Sequence, residues 1–236
     1  MSFLIRFLTL FLFTAPLLAQ YQKTEKFQFT GLGTREGLSQ GRVTCILQDR
    51  SGFHWFGTAD GLNRFDGYSF LVFRNNRNIK NSLTNNVIYD LTELPDGRIV
   101  VAHNQGIDIF DPVTQRFRHL ALRDIKSRAL HVKSVTQLVV PSNYSGFIYL
   151  GTHAGVLKLH MESSTTELVM PLSADPTENE RSIRTMIEDS EGKLWIGTGG
   201  EGLYMLDVRT RQAKMVFMPK GNQLTVKNGT IPFLTT

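Results

Sequence analysis

The sequence predicts an all-β fold assembled from four copies of one four-stranded antiparallel unit. Three observations carry this expectation. A glycine-centred phrase recurs, its copies are spaced by 45, 49 and 46 residues, and short apolar runs alternate with Gly- and Asp-rich turns. Composition agrees: of 236 residues 41% are hydrophobic and 20% charged, with 16 Phe and 20 Gly. That make-up leans toward strands and excludes a disordered, collagen-like or polytopic membrane chain.

The chain opens with an address. Arg6 supplies a positive charge, Phe7 to Leu18 a short apolar run, and Pro16 and Ala19 a cleavage-like end, so residues 1–19 read as a secretory signal peptide. The mature chain is therefore expected outside the cytoplasm. Residues 20–42 form an N-terminal segment in which Phe27 to Thr30 is one further strand. The single cysteine, Cys45, excludes a disulfide scaffold and a Cys-based zinc site, and its apolar surroundings predict a buried thiol. Net charge is +5, but the basic residues are scattered, with no stripe suited to a phosphate backbone. A nucleic-acid partner is excluded on that ground.

The first copy contains Val43 to Asp49, a turn at Gly52, Phe53 to Thr58, the hairpin pair Asp60-Gly61, Leu62 to Asp66, and Ser69 to Arg74. Each segment has strand length, and Asp-Gly is a strong hairpin signal. The fourth copy repeats it: Ile183 to Asp189, Gly192, Trp195-Ile-Gly197-Thr198, Gly202 and Leu203 to Asp207. The second (Asp96-Gly97, Val100 to Ala102, Gly106 to Asp111) and the third (Ser145-Gly146, Tyr149 to Thr152, Gly155 to Leu159) are degenerate. Apolar residues on both strand faces predict sheets stacked on each other. A four-stranded sheet every 45 or so residues is a β-propeller blade. The blades are expected at 43–74, 87–121, 132–171 and 183–218, with residues 219–236 starting a fifth. Trp55, Tyr149 and Trp195, with Gly57, Gly151 and Gly197, mark the structural repeat, and the three aromatics are expected to pack between neighbouring blades. Val100 takes the aromatic place in the second copy, which predicts looser packing there.

Asp49-Arg-Ser-Gly-Phe-His-Trp-Phe-Gly-Thr-Ala-Asp-Gly-Leu-Asn-Arg-Phe-Asp-Gly67 resembles the two-component regulator propeller repeat, as do the lead-ins Glu36 to Gln40 and Asn81 to Asn86. The resemblance covers nearly all of residues 27–236, and the first and fourth copies match best. It implies the N-terminal part of the sensor region of a hybrid sensor histidine kinase, with a periplasmic seven-bladed propeller of which four blades are present here. In such a ring Phe27 to Thr30 would be the closing strand. A genuine four-bladed propeller is the structural alternative. The resemblance also implies missing blades and kinase domains elsewhere in a parent chain, and a small glycan or other small-molecule inducer.

No catalytic motif stands out. Gly197-Thr-Gly-Gly-Glu-Gly202 matches a dinucleotide fingerprint, but a strand-length segment follows where a helix is required. His54, His103 and His153 fall at non-equivalent places in their copies, so no metal ring is expected, and no cofactor. Asp60, Asp108 and Glu201 sit in or near hairpin loops as turn residues rather than as an acid–base pair. The chain is thus expected to be a non-enzymatic ligand-sensing module. The alternative is a freestanding secreted propeller that binds or degrades polysaccharide. Loops joining the second and third strands, and those joining successive blades, should emerge on one face. The candidate ligand residues on that face are Asp60, Asn75, Asn76, Arg77, His103, Asn104, His153 and Glu201.

Overall fold

The computed structural model describes residues 30–124, 126, 132, 134–172, 182–200, 202–220, 223–225 and 229–231. The leader, the ring-closing segment up to residue 29 and Glu201 lie outside these residues. From Leu32 onward the chain forms one unit.

Each blade begins with a turn that its own sequence specifies. In the first, strands β1 (Val43–Gln48) and β2 (His54–Thr58) are joined through Asp49. The Asp49 Oδ1 atom accepts the amides of Ser51 and Phe53 at 2.9 and 3.0 Å, and Gly52 takes φ +89° to close the turn. The second carboxylate oxygen accepts Trp55 Nε1–H at 2.7 Å. Asp189 does the same in the fourth blade, bonding the amides of Glu191 and Lys193 and Trp195 Nε1–H at 2.8 Å. The spacing Asp-x-x-Gly-x-x-Trp is therefore one hydrogen-bonded device.

Strands β3 (Gly61–Phe65) and β4 (Phe70–Phe73) complete the first sheet in the order β1-β2-β3-β4. The second sheet is β5 (Ile88–Glu93), β6 (Ile99–His103), β7 (Gly106–Asp111) and β8 (Arg116–His119). A short strand, β9 (Arg123–Asp124), follows and pairs in parallel with β13, so the third sheet has five strands. Its other members are β10 (Val135–Val139), β11 (Phe147–Thr152), β12 (Gly155–His160) and β13 (Thr165–Pro171). The fourth is β14 (Ile183–Glu188), β15 (Lys193–Thr198), β16 (Leu203–Asp207) and β17 (Gln212–Lys220). Two further strands, β18 (Gln223–Thr225) and β19 (Gly229–Ile231), both pair with β17. The four main strands of each sheet form an antiparallel meander, and the only helical turn among the described residues is Thr34–Glu36.

The sheets are arranged as successive propeller blades. Their innermost strands touch in the order β1–β5, β5–β10 and β10–β14. One hydrophobic cluster fills each of these three interfaces. Trp55 and Leu62 meet Ile88, Val101 and Phe110; Val100 and Ile109 meet Ile148 and Leu159; Val139 and Tyr149 meet Ile196 and Leu206. By contrast Ile46 on β1 and Ile187 on β14 are 63% and 66% exposed. Among the described residues the first and last sheets each present one uncovered face.

Looser packing in the second blade is not what the structure has. Every residue of β6 is buried and Val100 is fully enclosed. Leu94, standing at the Asp49 position, is also fully enclosed and joins Val100 in the same cluster. The polar pair Asp–Trp has been exchanged as a unit for an apolar pair, which needs no internal acceptor. The interface is also matched in volume. An ideal Cβ on Gly57 would lie 2.8 Å from Ile88 Cγ2, and one on Gly151 would lie 2.7 Å from Ile183 Cγ2. In the second blade the glycine is Ala102, and the residue equivalent to those isoleucines in the next blade is Val135. A methyl group has moved across the interface, so packing density is kept.

Tethers between the innermost strands reinforce this order. Thr44 and Thr136 hydroxyls donate to the carbonyls of Ile88 and Ile183 in the following blade, at 2.9 and 2.6 Å. Asp90 accepts the Leu138 amide at 2.7 Å. Burial raises the Asp90 carboxyl to about 6. Cys45 is half-buried, and desolvation together with the charge of Asp90 pushes its thiol up to about 12. It is inert as a nucleophile at neutral pH.

Candidate functional site

Hairpins at the ends of β2 and β6 and the lead-in between the first two blades converge on one face. The hairpin after β2 is internally braced: Thr58 Oγ1 donates to the Gly61 carbonyl at 2.9 Å and accepts the Asp60 amide at 3.0 Å. Gly61 has φ +115°, and a Cβ there would lie 2.5 Å from the Phe73 carbonyl, so the turn requires glycine. The Gly61 amide donates to the Asn86 carbonyl at 2.8 Å, stitching this hairpin to the lead-in. Asn75 holds the lead-in from within. Its side-chain amide donates to the carbonyls of Leu83 and Thr84, and its own backbone amide donates to Asn86 Oδ1 at 2.7 Å. Across the way the Asn104 amide reaches the Val87 carbonyl at 3.2 Å.

Between these loops lies an open polar hollow of about 380 Å³, lined by Asn75, Arg77, Thr84, Asn85, Asn86 and Gln105. Among the described residues the Arg77 guanidinium and the Gln105 side-chain amide bond nothing, so both are available to a ligand. The Nδ2 groups of Asn85 and Asn86 are likewise free, while their Oδ1 atoms accept the amides of Val87 and Asn75.

The structure sorts the residues expected from sequence. Asn75 and Arg77 line the hollow together. Asp60 stands on the adjoining hairpin, its carboxylate gripped by Arg74 at 2.9 Å. Asn76 and Asn104 flank the hollow without lining it: Asn76 Oδ1 accepts the Asn78 amide, and Asn104 Oδ1 accepts the Tyr89 hydroxyl at 3.4 Å. His153 is exposed on the corresponding hairpin of the third blade and takes no part in the hollow. Thr84, Asn85, Asn86 and Gln105 were not expected. The signal was present in Asn81 to Asn86, whose repeat-like character masked its side-chain chemistry.

His103 belongs to a different arrangement. It occupies the Thr58 position and copies the threonine's role, its Nδ1 accepting the Gln105 amide at 3.1 Å. The ring proton therefore sits on Nε2, which is buried 3.4 Å from Asp108 Oδ1 without completing a hydrogen bond. Asp108 also accepts the Thr84 amide and hydroxyl at 2.7 and 2.9 Å, and His119 Nδ1 lies 3.0 Å from its Oδ1 atom. Burial alone would raise the Asp108 carboxyl. The His103 and His119 rings and the Thr84 amide more than offset this and hold it well below the usual carboxylate range. Sequence spacing separates His103 from His54 and His153, which fall at other places in their copies. The fold sets it beside Asp108 and His119 instead, three groups close enough to consider as metal ligands. A metal at His103 Nε2 would need the lone pair that the Gln105 bond forces to be protonated. Within the trio His119 is hydrogen-bonded to Asp108, and His103 Nε2 stands 3.4 Å from the same oxygen.

The Gly199 to Gly202 hairpin leads directly into strand β16, with no helix N-terminus to receive a pyrophosphate. Comparison with known proteins agrees with the repeat. The model of the two-component regulator propeller matches residues 37–60 and 177–200. Those two segments, in the first and fourth blades, are similar to the two-component regulator propeller repeat. Histidine kinase P4 of Formosa agariphila is 42% identical over 65 residues, 28% of this chain and 5% of that protein. Among solved structures, the extracellular domain of a putative one-component system from B. thetaiotaomicron superposes with a TM-score of 0.64 at 19% identity, over 81% of this chain and 27% of that one. The extracellular domain of a putative hybrid two-component system from the same organism gives 0.51 at 21% identity, over 77% and 31% respectively. The chain therefore spans less than a third of each of these relatives. Among the described residues no helix is long and apolar enough to cross a membrane.

Proposed function

We propose that this regulator propeller is the ligand-sensing part of a two-component signalling receptor, exported to the periplasm and responsive to a glycan. The observation that carries the reading is the hollow of Asn75, Arg77, Asn85, Asn86 and Gln105. Its free groups are neutral amides and one guanidinium, which suit hydroxyl-rich ligands held by many directional hydrogen bonds. Its rim is pre-organised by the Asn75 and Gly61 stitching, so little ordering cost falls on binding. No side chain there has an environment that would make it an acid or a base, so the module binds without turnover and passes its state to kinase domains of a parent chain. Likeness to the extracellular domains of a putative one-component and a putative hybrid two-component system supports both the export and the sensing role.

Isothermal titration of the chain against a panel of neutral and acidic oligosaccharides tests this. One class should bind saturably, and Arg77→Ala with Gln105→Ala should abolish the heat while leaving the melting temperature in place. An unchanged affinity in that folded double variant would remove the hollow from consideration.

A further inference from the structure

Among the described residues the first and fourth sheets each leave one apolar face open, and the two are opposite faces of the repeat. On the fourth sheet Trp195, Leu203, Phe217 and Ile187 take the places of Trp55, Leu62, Phe73 and Leu47. In the first blade those four residues join the cluster shared with the second blade. In the fourth, Trp195, Leu203 and Phe217 are only half-buried, and Ile187 is exposed. On the first sheet the open face is the other one, where Phe70 packs against Phe56 and Phe65 and Ile46 is exposed. Phe65 and Phe70 are 4.7 Å apart and take the places of Phe110 and Phe117, which are 4.8 Å apart.

The interior interfaces show what such faces receive. Trp55 lies 5.2 Å from Phe110, and Phe73 lies 5.6 Å from Phe117. The next two interfaces join smaller groups, Val100 and Leu120 with Leu159, then Tyr149 and Met170 with Leu206 and Ala213. Trp and Phe on one face are thus matched by a pair of Phe on the next. The two faces left open are this matched pair.

We propose that a second copy of this chain covers both faces, the fourth blade of each copy seated on the first blade of the other. Four blades from each copy then close one ring of eight, within the range that propellers span. Polar groups repeat the match. In the interior the Arg50 and Ser142 amides donate to Glu93 and Glu188 of the following blade, at 3.2 and 2.6 Å. Ser190 stands at the Arg50 place in the fourth blade, and Gln48 at the glutamate place in the first. The Gln48 amide oxygen can accept the Ser190 amide of the other copy. Val43, at the Ile88 place, would cover Gly197 as Ile88 covers Gly57. Each face fits the other kind and not its own, so the contact is heterologous, and closure after two copies leaves neither face open.

Sedimentation velocity of the chain over a micromolar concentration series tests this. A dimer should form and grow no further. Tryptophan fluorescence should shift to the blue over the same range, because Trp55 is already enclosed and only Trp195 has water to lose. Ile46→Lys and Ile187→Glu each put a charge into both contacts of the ring and should weaken assembly at least tenfold. Both positions are exposed within one chain, so the melting temperature of the monomer should stay in place. Mixing the two variants should restore the dimer, since a mixed pair has one unaltered contact and one in which opposite charges meet. Pairing of like blades would give no such rescue. A chain that stays monomeric would leave the two faces to other blades and overturn the proposal. A species that keeps growing with concentration, or a mixture that remains monomeric, would overturn it equally.

Discussion

The first and fourth blades contain the same turn and the same tryptophan, yet only one of the two indoles is buried. Trp55 and Trp195 each donate to the turn aspartate, at 2.7 and 2.8 Å. Trp55 is fully enclosed, with Phe110 of the next blade at 5.2 Å and Phe73 at 6.0 Å, whereas Trp195 is only half-buried. A blade thus makes its own hydrogen bonds, and the blade after it supplies the burial. The expectation that both tryptophans are packed between blades holds only for the first.

The largest effect that could break this comparison is at the indoles themselves. Trp55→Ala should cost about 3–5 kcal/mol in urea melts, because it empties an enclosed aromatic site. Trp195→Ala should cost clearly less, about half as much, since part of its surface is already wet. Equal losses would mean that burial by the next blade is not what distinguishes the two units.

A second test moves one methyl group. Gly57→Ala should destabilise by about 1–3 kcal/mol, because the new Cβ would meet Cys45 Sγ and Ile88 Cγ2 inside contact distance. Gly197→Ala should be milder, since its Cβ would meet only Thr185 of its own blade at 2.8 Å. Adding Cys45→Ala to Gly57→Ala removes the nearest atom that the new methyl would meet, and should recover a good part of the loss. Double-mutant melts that show simple additivity would refute this contact as the source of the loss.

The pH dependence of stability probes the interface between the second and third blades. Burial raises the Asp90 carboxyl to about 6 from an ordinary value of 3.8, so the folded chain holds this proton more tightly than the unfolded one. The contribution is fully present below about pH 4 and is lost as pH rises through about 6. The loss amounts to as much as about 3 kcal/mol. Asp90→Asn should flatten that part of the profile, as read from denaturation midpoints between pH 4 and pH 7.

The smallest effect is expected on the binding face. Asp60 and Arg74 are both close to half-exposed, so Asp60→Asn should change stability by less than about 1 kcal/mol despite the 2.9 Å ion pair. A larger loss would show that this hairpin braces the first two blades and is not simply a rim.

Much of this protein is written locally. Strand lengths, the Asp-x-x-Gly-x-x-Trp turns, the Gly61 hairpin and the spacing near 46 residues are consequences of short-range chemistry, because a turn's hydrogen bonds and a positive φ depend on residues four or five apart. The sequence therefore determined the blades, their order and the face on which the Asn-rich lead-in would lie. It did not determine which side chains would be free. Asn75 and Asn86 look equally available in the sequence, but the fold commits the Asn75 amide to the lead-in carbonyls and leaves the Nδ2 group of Asn86 open. Nor could it pair His119 with Asp108, since the register that places them opposite each other is set by the β7–β8 hairpin and by Thr84 arriving from outside the sheet. The enclosure of Val100 and the exposure of Ile187 were likewise decided by whether another blade lies against them. Burial is a property of two surfaces, and a repeat can encode only its own.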